Sequence, residues 1–475
     1  MSSPKDYLVG RVLFPFTNFL FNRRKVLSSY RQLCKTEWYP ESELYNIQLS
    51  QLKKVVEYSY RFVPYYQALY RNIGLEPGDI KNLEDIRLIP PLSRGDVIER
   101  HREMVDFRLQ KSIPFAERSK RGPGEPIPFA RLGKHRLVRN TSSGSTGAPT
   151  VFFEDGSRTA LNWAYELRVK NWYGVKPGEK EARITRLSTN YVTDSRSLAL
   201  RQSLWHQLIL PGANLKEKEY EFLVDRIRTF RPVNLWGLPS AIAGLAEYIK
   251  RKGLDLAPFK VRLVVAWAAP LYEHEKKLLE EVFCCPVTNI YGSREVGHVA
   301  AICPAGSFHI NQENLIVESE KTGNGATEVE ELLVTNLDIS PMPFIRYRMG
   351  DLGRIERSTC SCCRSLQTLT NLLGRTGEVF ITRDGRMISP NFWCRVFMSA
   401  QHVGQFKRFQ IAYTKEKNIR IIIEKGPRFS EELEYYIRCV VRENFSSDTH
   451  LDLEYVPEIK PQVSGKYQMI INEGR

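Results

Sequence analysis

The chain has 475 residues, of which 42% are hydrophobic and 11% are aromatic, and it carries a formal net charge of +15. This length predicts two or three packed domains, and the composition excludes an intrinsically disordered chain. The positive charge favours anionic partners, but the basic residues are dispersed and no RNA- or DNA-binding motif is present. Nucleic acid is therefore the least favoured partner.

The N-terminus is basic and aromatic but lacks the pattern of a signal peptide. Residues 1–35 carry seven Lys and Arg side chains against the single acid Asp6, with the apolar stretch Val12–Phe21 between them. This pattern favours contact with an anionic membrane surface or, equally, packing on the chain's own domain or in a homodimer. No run approaches the roughly 18 apolar residues of a membrane span. Nine clustered cysteines indicate a reducing cytoplasm rather than a disulfide framework.

Helical periodicity dominates the first 90 residues, with a helix over 43–72 that Pro64 interrupts and a second helix after Ser93. Three helix–strand repeats follow between residues 218 and 290, which predicts an α/β layer with a mostly parallel sheet. Ligands of such sheets gather beyond the carboxyl ends of the strands, where Gly237 and Gly292 are expected.

The pattern changes to strands after residue 310 and to a compact α+β module after Asp384. We therefore predict an α/β fold with a large multi-layer N-terminal domain over 1–383. That domain would contain a helical region over about 1–90, mixed and parallel sheets and a β-rich subdomain. A small α+β C-terminal domain over 384–475 would complete the chain.

Thr141–Thr150 combines six hydroxyl side chains with two glycines and carries no charge. Such a stretch cannot bury an apolar face, so it is a loop, either a flexible linker or a phosphate cradle. It is not a P-loop, because no Gly-Lys-Ser/Thr sequence ends it.

Three later stretches suit an ATP-dependent reaction. In Tyr291–Glu295, the ring of Tyr291 could stack on a base and the carboxylate of Glu295 could bind Mg²⁺. The same sequence would also be found if Tyr291 were a core residue and Glu295 capped the next helix. Asp351 follows a glycine, as in ribose-binding sites and in ordinary turns alike. Arg375 and Lys466 could supply positive charge, but most single Lys and Arg side chains are solvated surface.

Taken together, these stretches resemble the adenylate-forming (acyl-CoA synthetase) superfamily. The resemblance is closest to its phenylacetate–CoA ligase-like branch, which includes CapK-like proteins linked to capsular polysaccharide synthesis. Thr141–Thr150, Tyr291–Glu295, Tyr347–Asp351 with Gly374-Arg375, and Gly465-Lys466 occur in the family's order. The Val63-Pro-Tyr-Tyr66 and Leu88–Leu92 segments also resemble that branch, so the likeness covers nearly the whole chain.

The resemblance implies an AMP-forming ligase that activates a carboxylic acid as acyl-AMP and transfers the acyl group, with coenzyme A the favoured acceptor. ATP phosphates would lie against the loop residues, and adenine against Tyr291 and its neighbours. The implied nucleotide-binding residues are Thr141, Ser142, Ser143, Gly144, Ser145, Thr146, Gly147, Tyr291, Gly292, Ser293, Asp351 and Arg375. Lys466, Glu295 and Thr146 would be catalytic, and Glu295 would bind Mg²⁺. Lys466 would offset the repulsion between the carboxylate and the α-phosphate.

The chain also departs from the family pattern. Ala148 stands where relatives often carry lysine, and Gly377 replaces the first of two acids that usually follow the Gly-Arg pair. By analogy the C-terminal domain would rotate about a hinge at Thr382–Gly385 after adenylation. No coenzyme A-binding motif stands out. Transfer to an amine or hydroxyl of a surface-polysaccharide precursor therefore remains an alternative, as does a non-catalytic nucleotide-binding scaffold.

A second group of residues has the character of a metal site. Cys303, His309, Cys360 and Cys362 supply three thiols and one imidazole, enough for a closed tetrahedral Zn²⁺ site, with Cys363 an alternative fourth ligand. Such a site would be structural, because four protein ligands leave no open position; scattered cytosolic cysteines are the alternative. The acid itself is not specified, although Trp236–Ser240 and Val265–Ala269 would form an aromatic and small-residue pocket wall for an aryl or modest aliphatic acid.

Overall fold

The computed structural model describes most of the chain, and structural statements concern those residues. They are 12–13, 16, 24–113, 137–142, 150–185, 187, 192, 196–212, 215–255, 259–322, 329–357, 360–375, 380–383, 387–388, 390–397, 405–445, 448–459 and 469–473. Within them, no helix is both long enough and apolar enough to cross a membrane.

The N-terminal region is helical, as predicted. Its helices are α1 (Arg24–Thr36), α2 (Glu41–Phe62), α3 (Pro64–Ile73) and α4 (Arg94–Arg100). Pro64 ends α2 and opens α3, where its missing N–H loses no helical hydrogen bond. At α4, Ser93 Oγ accepts from the Asp96 amide at 3.1 Å while the Ser93 amide donates to the Asp96 carboxylate at 3.0 Å. This capping box confirms the predicted helix start after residue 92.

A two-stranded antiparallel hairpin brackets the predicted phosphate loop. It consists of β1 (Val138–Ser142) and β2 (Thr150–Glu154), with Ser142 and Thr150 as its last pair before the loop. Helix α5 (Gly156–Trp172) follows directly, capped by the Asp155 carboxylate, which accepts from the Ser157 amide at 2.9 Å. The hairpin thus presents the two ends of the loop side by side.

The predicted α/β layer is present and parallel. Its strands are β3 (Glu181–Thr185), β4 (Gln207–Pro211), β5 (Asn234–Gly237), β6 (Leu263–Trp267) and β7 (Val287–Ser293). Its helices are α6 (Arg196–Trp205), α7 (Glu217–Phe230), α8 (Pro239–Arg251) and α9 (Glu273–Phe283). Buried aliphatic residues of β3–β7 pack against α7–α9, and a second cluster around Trp236 packs against α5, so both faces of these strands are covered.

The later strands extend the same sheet, so the predicted β-rich stretch does not form a sheet of its own. They are β8 (Gly297–Ile302), β9 (Phe308–Ile310), β10 (Leu315–Thr322), β11 (Val329–Asn336), β12 (Tyr347–Glu356) and β13 (Thr368–Arg375). The eleven strands run in the order β10-β11-β12-β13-β9-β8-β7-β6-β5-β3-β4. β12 begins at Tyr347 rather than at the expected Phe344, because Arg346 adopts a positive φ of 50° that an extended strand excludes.

The C-terminal segment forms the predicted α+β module. Its elements are β14 (Phe380–Ile381), β15 (Met387–Ile388), α10 (Pro390–Phe397), β16 (Phe406–Tyr413), β17 (Ile419–Lys425), α11 (Glu431–Asn444), β18 (Leu451–Val456) and β19 (Ile470–Asn472). The sheet order is β18-β17-β16-β19. Stacked rings of Phe380 on Tyr413 and of Phe397 on Phe409 form its aromatic core, with centroids 4.1 and 4.0 Å apart.

The chain divides into two compact units. The first comprises Met1–Glu318, Leu333–Arg348 and Ile355–Thr370, and the second comprises Ser319–Leu332, Met349–Arg354 and Asn371–Arg475. The division of function between residues 1–383 and 384–475 stays a prediction.

Candidate functional site

The base of the predicted phosphate loop carries hydroxyl groups that lack partners. Thr150 is fully buried and Ser142 is half-buried, yet neither hydroxyl oxygen has a hydrogen-bond partner among the described residues. A buried hydroxyl without a partner is unfavourable, so two on one strand pair indicate a site that a polar ligand completes. Of the predicted loop residues, Thr141 and Ser142 are described, whereas the others lie outside the described residues: Ser143, Gly144, Ser145, Thr146 and Gly147.

The Tyr291–Glu295 segment lies at the end of β7 and turns into β8. Gly292 belongs to the strand rather than following it, and β7 pairs with β8 through a bulge between Tyr291 and Gly292. A Cβ atom on Gly292 would stand 2.1 Å from the Gly297 carbonyl oxygen. Only glycine therefore fits there, and the segment is held against β8 by backbone contact.

Arg294 joins this segment to the phosphate hairpin. Its guanidinium Nη1 donates a hydrogen bond of 2.7 Å to the carbonyl oxygen of Thr141, 153 residues earlier in the chain. On the other side of the segment, Arg158 of α5 donates to the carbonyl oxygen of Glu295 at 2.5 Å and pairs with Asp338 at 3.4 Å. The structure thus brings Thr141, next to Ser142, into contact with the Tyr291–Glu295 segment. Arg294 is the functional candidate that sequence reasoning missed.

The electrostatics of this site are those of a partly desolvated pocket. Burial lowers the pKa of the Arg294 guanidinium, against the opposing effect of the Glu295 and Glu154 carboxylates. Burial also raises the pKa of Glu154, on β2, to about 7, although Arg158 and an amide hydrogen bond from Asn140 oppose the rise. The Glu295 side chain is buried, and its carboxylate accepts no hydrogen bond within the part of the chain that is described.

The remaining predicted site residues are placed less completely. Asp351 lies half-buried in β12 and Arg375 ends β13. Both belong to the second compact unit, and Lys466 falls outside the described residues. Of the predicted hinge, Thr382 is buried and Arg383 is exposed, whereas Asp384 and Gly385 lie outside the described residues. The roles of these residues stay predictions.

A chain of buried charges lies beneath the predicted acid-pocket wall and was not foreseen. Glu166 of α5 pairs with Arg183 of β3, and its other oxygen lies 3.2 Å from His298 Nε2 on β8. Burial alone would raise the pKa of Glu166, but Arg183 and His298 outweigh it and lower the value to about 2. The Arg183 guanidinium lies 4.5 Å from the ring centre of Trp236, whose indole ring faces His298 edge-on. The sequence signal that could have revealed these pairs is the occurrence of charged residues within otherwise apolar helices and strands.

Two indole N–H groups on the same wall are also unpaired. Trp236, the residue before the last of β5, is fully buried, and its ring lies 6.1 Å from that of Trp267 on the neighbouring strand. Neither Nε1 has a hydrogen-bond partner in the part of the chain that the structure describes. Buried Trp N–H groups usually find an acceptor, so this wall favours a ligand that brings one.

Four metal-ligating side chains converge at the other end of the sheet's aromatic cluster. The donor atoms of Cys303, His309, Cys360 and Cys362 all lie within 4.8 Å of one another. Cys303 Sγ lies 3.5 Å from Cys360 Sγ, and His309 Nε2 lies 3.1 Å from Cys362 Sγ. Ligands of one tetrahedral zinc ion lie roughly 3.5–3.8 Å apart, so the donor set fits such an ion after small adjustments. Cys363, the alternative ligand, is exposed and outside the cluster.

A backbone carbonyl group outside the cluster orients the ring of His309. His309 Nδ1 lies 3.0 Å from the Leu366 carbonyl oxygen, which can only accept. Nδ1 therefore carries the proton, and Nε2 keeps the lone pair that faces the thiols. Burial raises the pKa of the Cys303 thiol to about 11, whereas hydrogen bonds from Ser307 and Cys362 outweigh burial at Cys360 and lower its pKa to about 7.

The chain is similar to several known proteins. Residues 380–473 match the family described as the CapK C-terminal domain. A phenylacetate–coenzyme A ligase of Thermus thermophilus is 28% identical over 358 residues, which cover 73% of this chain and 74% of that protein. The CapK protein of Staphylococcus aureus is 20% identical over 437 residues, which cover 91% of this chain and 90% of that protein.

Solved structures show the same fold. A 2-hydroxyisobutyryl-CoA ligase in its postadenylation state, in complex with the acyl-AMP 2-HIB-AMP, superposes with a TM-score of 0.68 at 19% identity. The match covers 92% of this chain and 91% of that one. In its thioesterification state, with 2-HIB-AMP and CoA bound, the same ligase superposes with a TM-score of 0.55 at 18% identity.

Proposed function

This chain belongs to the adenylate-forming superfamily of AMP-forming ligases, in the branch of phenylacetate–CoA ligases and CapK, and we propose that it activates a carboxylic acid as acyl-AMP and transfers the acyl group to coenzyme A. The observation that carries the proposal is the hydrogen bond from Arg294 to the Thr141 carbonyl oxygen. It joins two stretches, far apart in sequence, to which the resemblance assigns phosphates and adenine. The unpartnered hydroxyls of Ser142 and Thr150 support it.

In the first step, a carboxylate oxygen of the acid attacks the α-phosphorus of ATP, the bond between the α- and β-phosphates breaks, and pyrophosphate leaves. Thr141 and Ser142, with Ser143, Gly144, Ser145, Thr146 and Gly147, would bind the phosphates. Tyr291, Gly292 and Ser293 would flank adenine, and Asp351 and Arg375 would hold the ribose. Lys466 would stand between the two reacting anions and stabilise the charge that develops there.

Glu295 is the proposed ligand for Mg²⁺. Mg²⁺ in such sites takes one or two carboxylates together with phosphate oxygens. The buried Glu295 carboxylate accepts no hydrogen bond among the described residues, so it is available to a cation. The ion would neutralise charge on the departing pyrophosphate.

In the second step, the thiol of coenzyme A attacks the acyl carbonyl carbon and AMP leaves. We propose that residues 384–475 reorient about Thr382–Gly385 between the two steps, which withdraws Lys466. An amine or hydroxyl of a surface-polysaccharide precursor is the second candidate acceptor, supported by the CapK match over 380–473. Both reactions would take place in the cytoplasm.

For the acid, we propose a pocket against Trp236–Ser240 and Val265–Ala269. The two unpaired indole N–H groups of Trp236 and Trp267 favour an acid that carries a hydrogen-bond acceptor besides its carboxylate. Aryl acids and modest aliphatic acids both meet this condition if they bear a hydroxyl, ether or carbonyl oxygen.

Cys303, His309, Cys360 and Cys362 are the proposed ligands of a structural zinc ion. The convergent donor atoms and the proton on His309 Nδ1 support this assignment. Bound zinc would tie β8 and β9 to residues 360–362 and would leave no position for substrate.

The test is a screen of carboxylic acids for acid-dependent pyrophosphate release from ATP, followed by mass detection of acyl-CoA. Lys466→Ala should abolish release for any acid that is turned over, whereas Lys415→Ala, which removes an exposed lysine of the same module, should not. Unchanged release by Lys466→Ala would refute its role. ATP binding without turnover of any acid would instead favour a nucleotide-binding scaffold.

A further inference from the structure

The phosphate loop has no positive charge of its own, because Thr141–Thr150 contains neither lysine nor arginine. The triphosphate of ATP carries about four negative charges, and proteins bind such groups with Arg or Lys as well as with backbone amides. A cation must therefore come from another part of the chain. Arg294 is the described arginine that is hydrogen-bonded to this hairpin from the Tyr291–Glu295 segment.

The guanidinium of Arg294 is only partly used by the protein. A guanidinium has five N–H donors, and the structure pairs one Arg294 nitrogen, Nη1, with the Thr141 carbonyl oxygen. Among the residues that the structure describes, no carboxylate lies within ion-pair distance of Arg294. The side chain is half-buried, and the nearby Glu295 and Glu154 carboxylates compensate the desolvation of its charge only in part.

Four buried or half-buried arginines of the first unit behave differently. Each of these four has a carboxylate partner: Arg158 with Asp338, Arg168 with Glu313, Arg183 with Glu166 and Arg346 with Glu318. These pairs show how the fold normally compensates a desolvated guanidinium. Arg294 stands apart from them, beside two unpaired hydroxyls at the base of the hairpin.

We propose that Arg294 binds the β- and γ-phosphates of ATP and so supplies the charge that the loop lacks. The inference rests on the proposed function. It makes Arg294 a ligand of the pyrophosphate group: the guanidinium transfers no proton, and its contacts strengthen as the α–β bond breaks and negative charge moves onto the departing pyrophosphate. The Thr141 carbonyl oxygen holds the guanidinium at the loop, which lowers the entropy lost on binding.

The consequence is selectivity among nucleotides. ATP and pyrophosphate contain the group that Arg294 would bind, whereas AMP does not. Hydrogen bonds to charged groups contribute about 1.5–3 kcal/mol, which corresponds to a change of about 10- to 100-fold in affinity. Removal of the Arg294 charge should therefore lower the affinity for ATP and for pyrophosphate by that factor and leave the affinity for AMP nearly unchanged.

The experiment measures the affinity of the full chain for MgATP, pyrophosphate and AMP by titration calorimetry. Arg294→Gln is compared with the wild type and with Arg251→Gln. The control removes the same charge from an exposed arginine on α8 that pairs with Glu217. We expect Arg294→Gln to bind ATP about 10- to 100-fold more weakly and AMP within about 3-fold of the wild type, and Arg251→Gln to match the wild type.

Arg294→Lys keeps the charge but loses the planar pair of donors. If Arg294→Gln fails to fold, this second variant tests whether Arg294 binds the phosphates. It should lose ATP affinity by about 3- to 10-fold with AMP unchanged. Equal losses for ATP and AMP would overturn the inference, because they would indicate that Arg294 only holds Thr141 in place. Unchanged ATP affinity would overturn it as well. A wild-type chain that binds no ATP would instead overturn the proposed function itself, a result distinct from both.

Discussion

The first compact unit contains two polar sites that differ in how far the protein satisfies them. In the cysteine–histidine cluster, four donor atoms already face one another and Leu366 fixes the tautomer of the histidine. At the hairpin site, the hydroxyls of Ser142 and Thr150 and most donors of the Arg294 guanidinium lack partners among the residues that are described. The first arrangement suits a small ion enclosed by the fold. The second suits a larger polar ligand that arrives from solution and leaves again.

The largest effect that would test this contrast between the hairpin site and the cysteine–histidine cluster is expected from a substitution of Glu295. Glu295→Gln keeps the shape of the side chain but removes the charge that would hold Mg²⁺. Acid-dependent pyrophosphate release should fall by about 100- to 1,000-fold, because a preorganised charge at a developing anion contributes that much to rate. Stopped assays of pyrophosphate at saturating MgATP measure it. Glu281→Gln, at an exposed pair with Lys250, is the control and should keep full activity. A Glu295→Gln enzyme of wild-type rate would remove this residue from the chemistry.

The second test concerns the enclosed site. Cys362→Ser should purify without the one zinc ion per chain that we expect in the wild type, and its unfolding free energy should fall by more than about 3 kcal/mol, because structural zinc contributes folding energy directly. Elemental analysis and denaturant titration measure the two effects. The adjacent and exposed Cys363 provides a matched control, since Cys363→Ser should keep both zinc and stability. Equal zinc content in the two variants would contradict the assigned ligands.

The third test uses the buried carboxyl of Glu154 on the hairpin. Burial raises its pKa to about 7 in the folded chain, so the folded state holds a proton that the unfolded state releases above about pH 4.5. Stability from this group is therefore fully present below about pH 4.5 and is lost as pH rises towards 7, by up to about 3 kcal/mol.

Glu154→Gln should flatten this part of the stability curve and raise the unfolding free energy at pH 7. Denaturant titrations at pH 5 and pH 7.5 measure the change. Glu275 of α9, whose pKa burial also raises to about 7, will contribute a similar slope, so the difference between wild type and variant isolates Glu154. A variant with the wild-type slope would show that Glu154 ionises normally.

The smallest expected effect separates an unsatisfied hydroxyl from a satisfied one. Thr150 and Thr335 are both fully buried, but within the described parts of the chain only the Thr335 hydroxyl has a partner, since it accepts a hydrogen bond from the Arg346 amide at 2.8 Å. Thr335→Val should cost about 1–3 kcal/mol of stability because it leaves a buried amide unpaired. Thr150→Val should leave stability unchanged or slightly higher and should lower the affinity for ATP about 3- to 10-fold. Thermal melts and ATP titrations distinguish the two, and the opposite ranking in stability would contradict an open hairpin site.

The sequence alone predicted most secondary elements and their order. The helix break at Pro64, the capped helix after Ser93 and the alternating helices and strands between 218 and 290 depend on local residue chemistry, which the sequence displays directly. The strand expected from Phe344 was wrong by three residues because Arg346 takes a positive φ that no local pattern signals. The β-rich stretch was correct as strands, but their membership of the large sheet depends on long-range pairing.

The candidate sites were predictable in their residue types and less so in their contacts. The four residues of the cysteine–histidine cluster were identified from donor chemistry. The fold places His309 within the cluster and leaves the alternative ligand Cys363 exposed outside it. Arg294 was overlooked because a single arginine in a motif usually points into solvent. Only its contact with Thr141 distinguishes it.

What the sequence by itself determined is therefore the set of elements and the donor groups that they carry, since propensity, capping and charge act over a few residues. What only the tertiary structure decided is which polar groups find partners and which stay open. Arg168 contacts the Glu313 carboxylate across 145 residues, whereas the hydrogen bond of Arg294 among the described residues goes to a carbonyl oxygen across 153 residues. Such pairings depend on how distant strands and helices pack, and a buried group left without a partner becomes visible only when all its neighbours are in place.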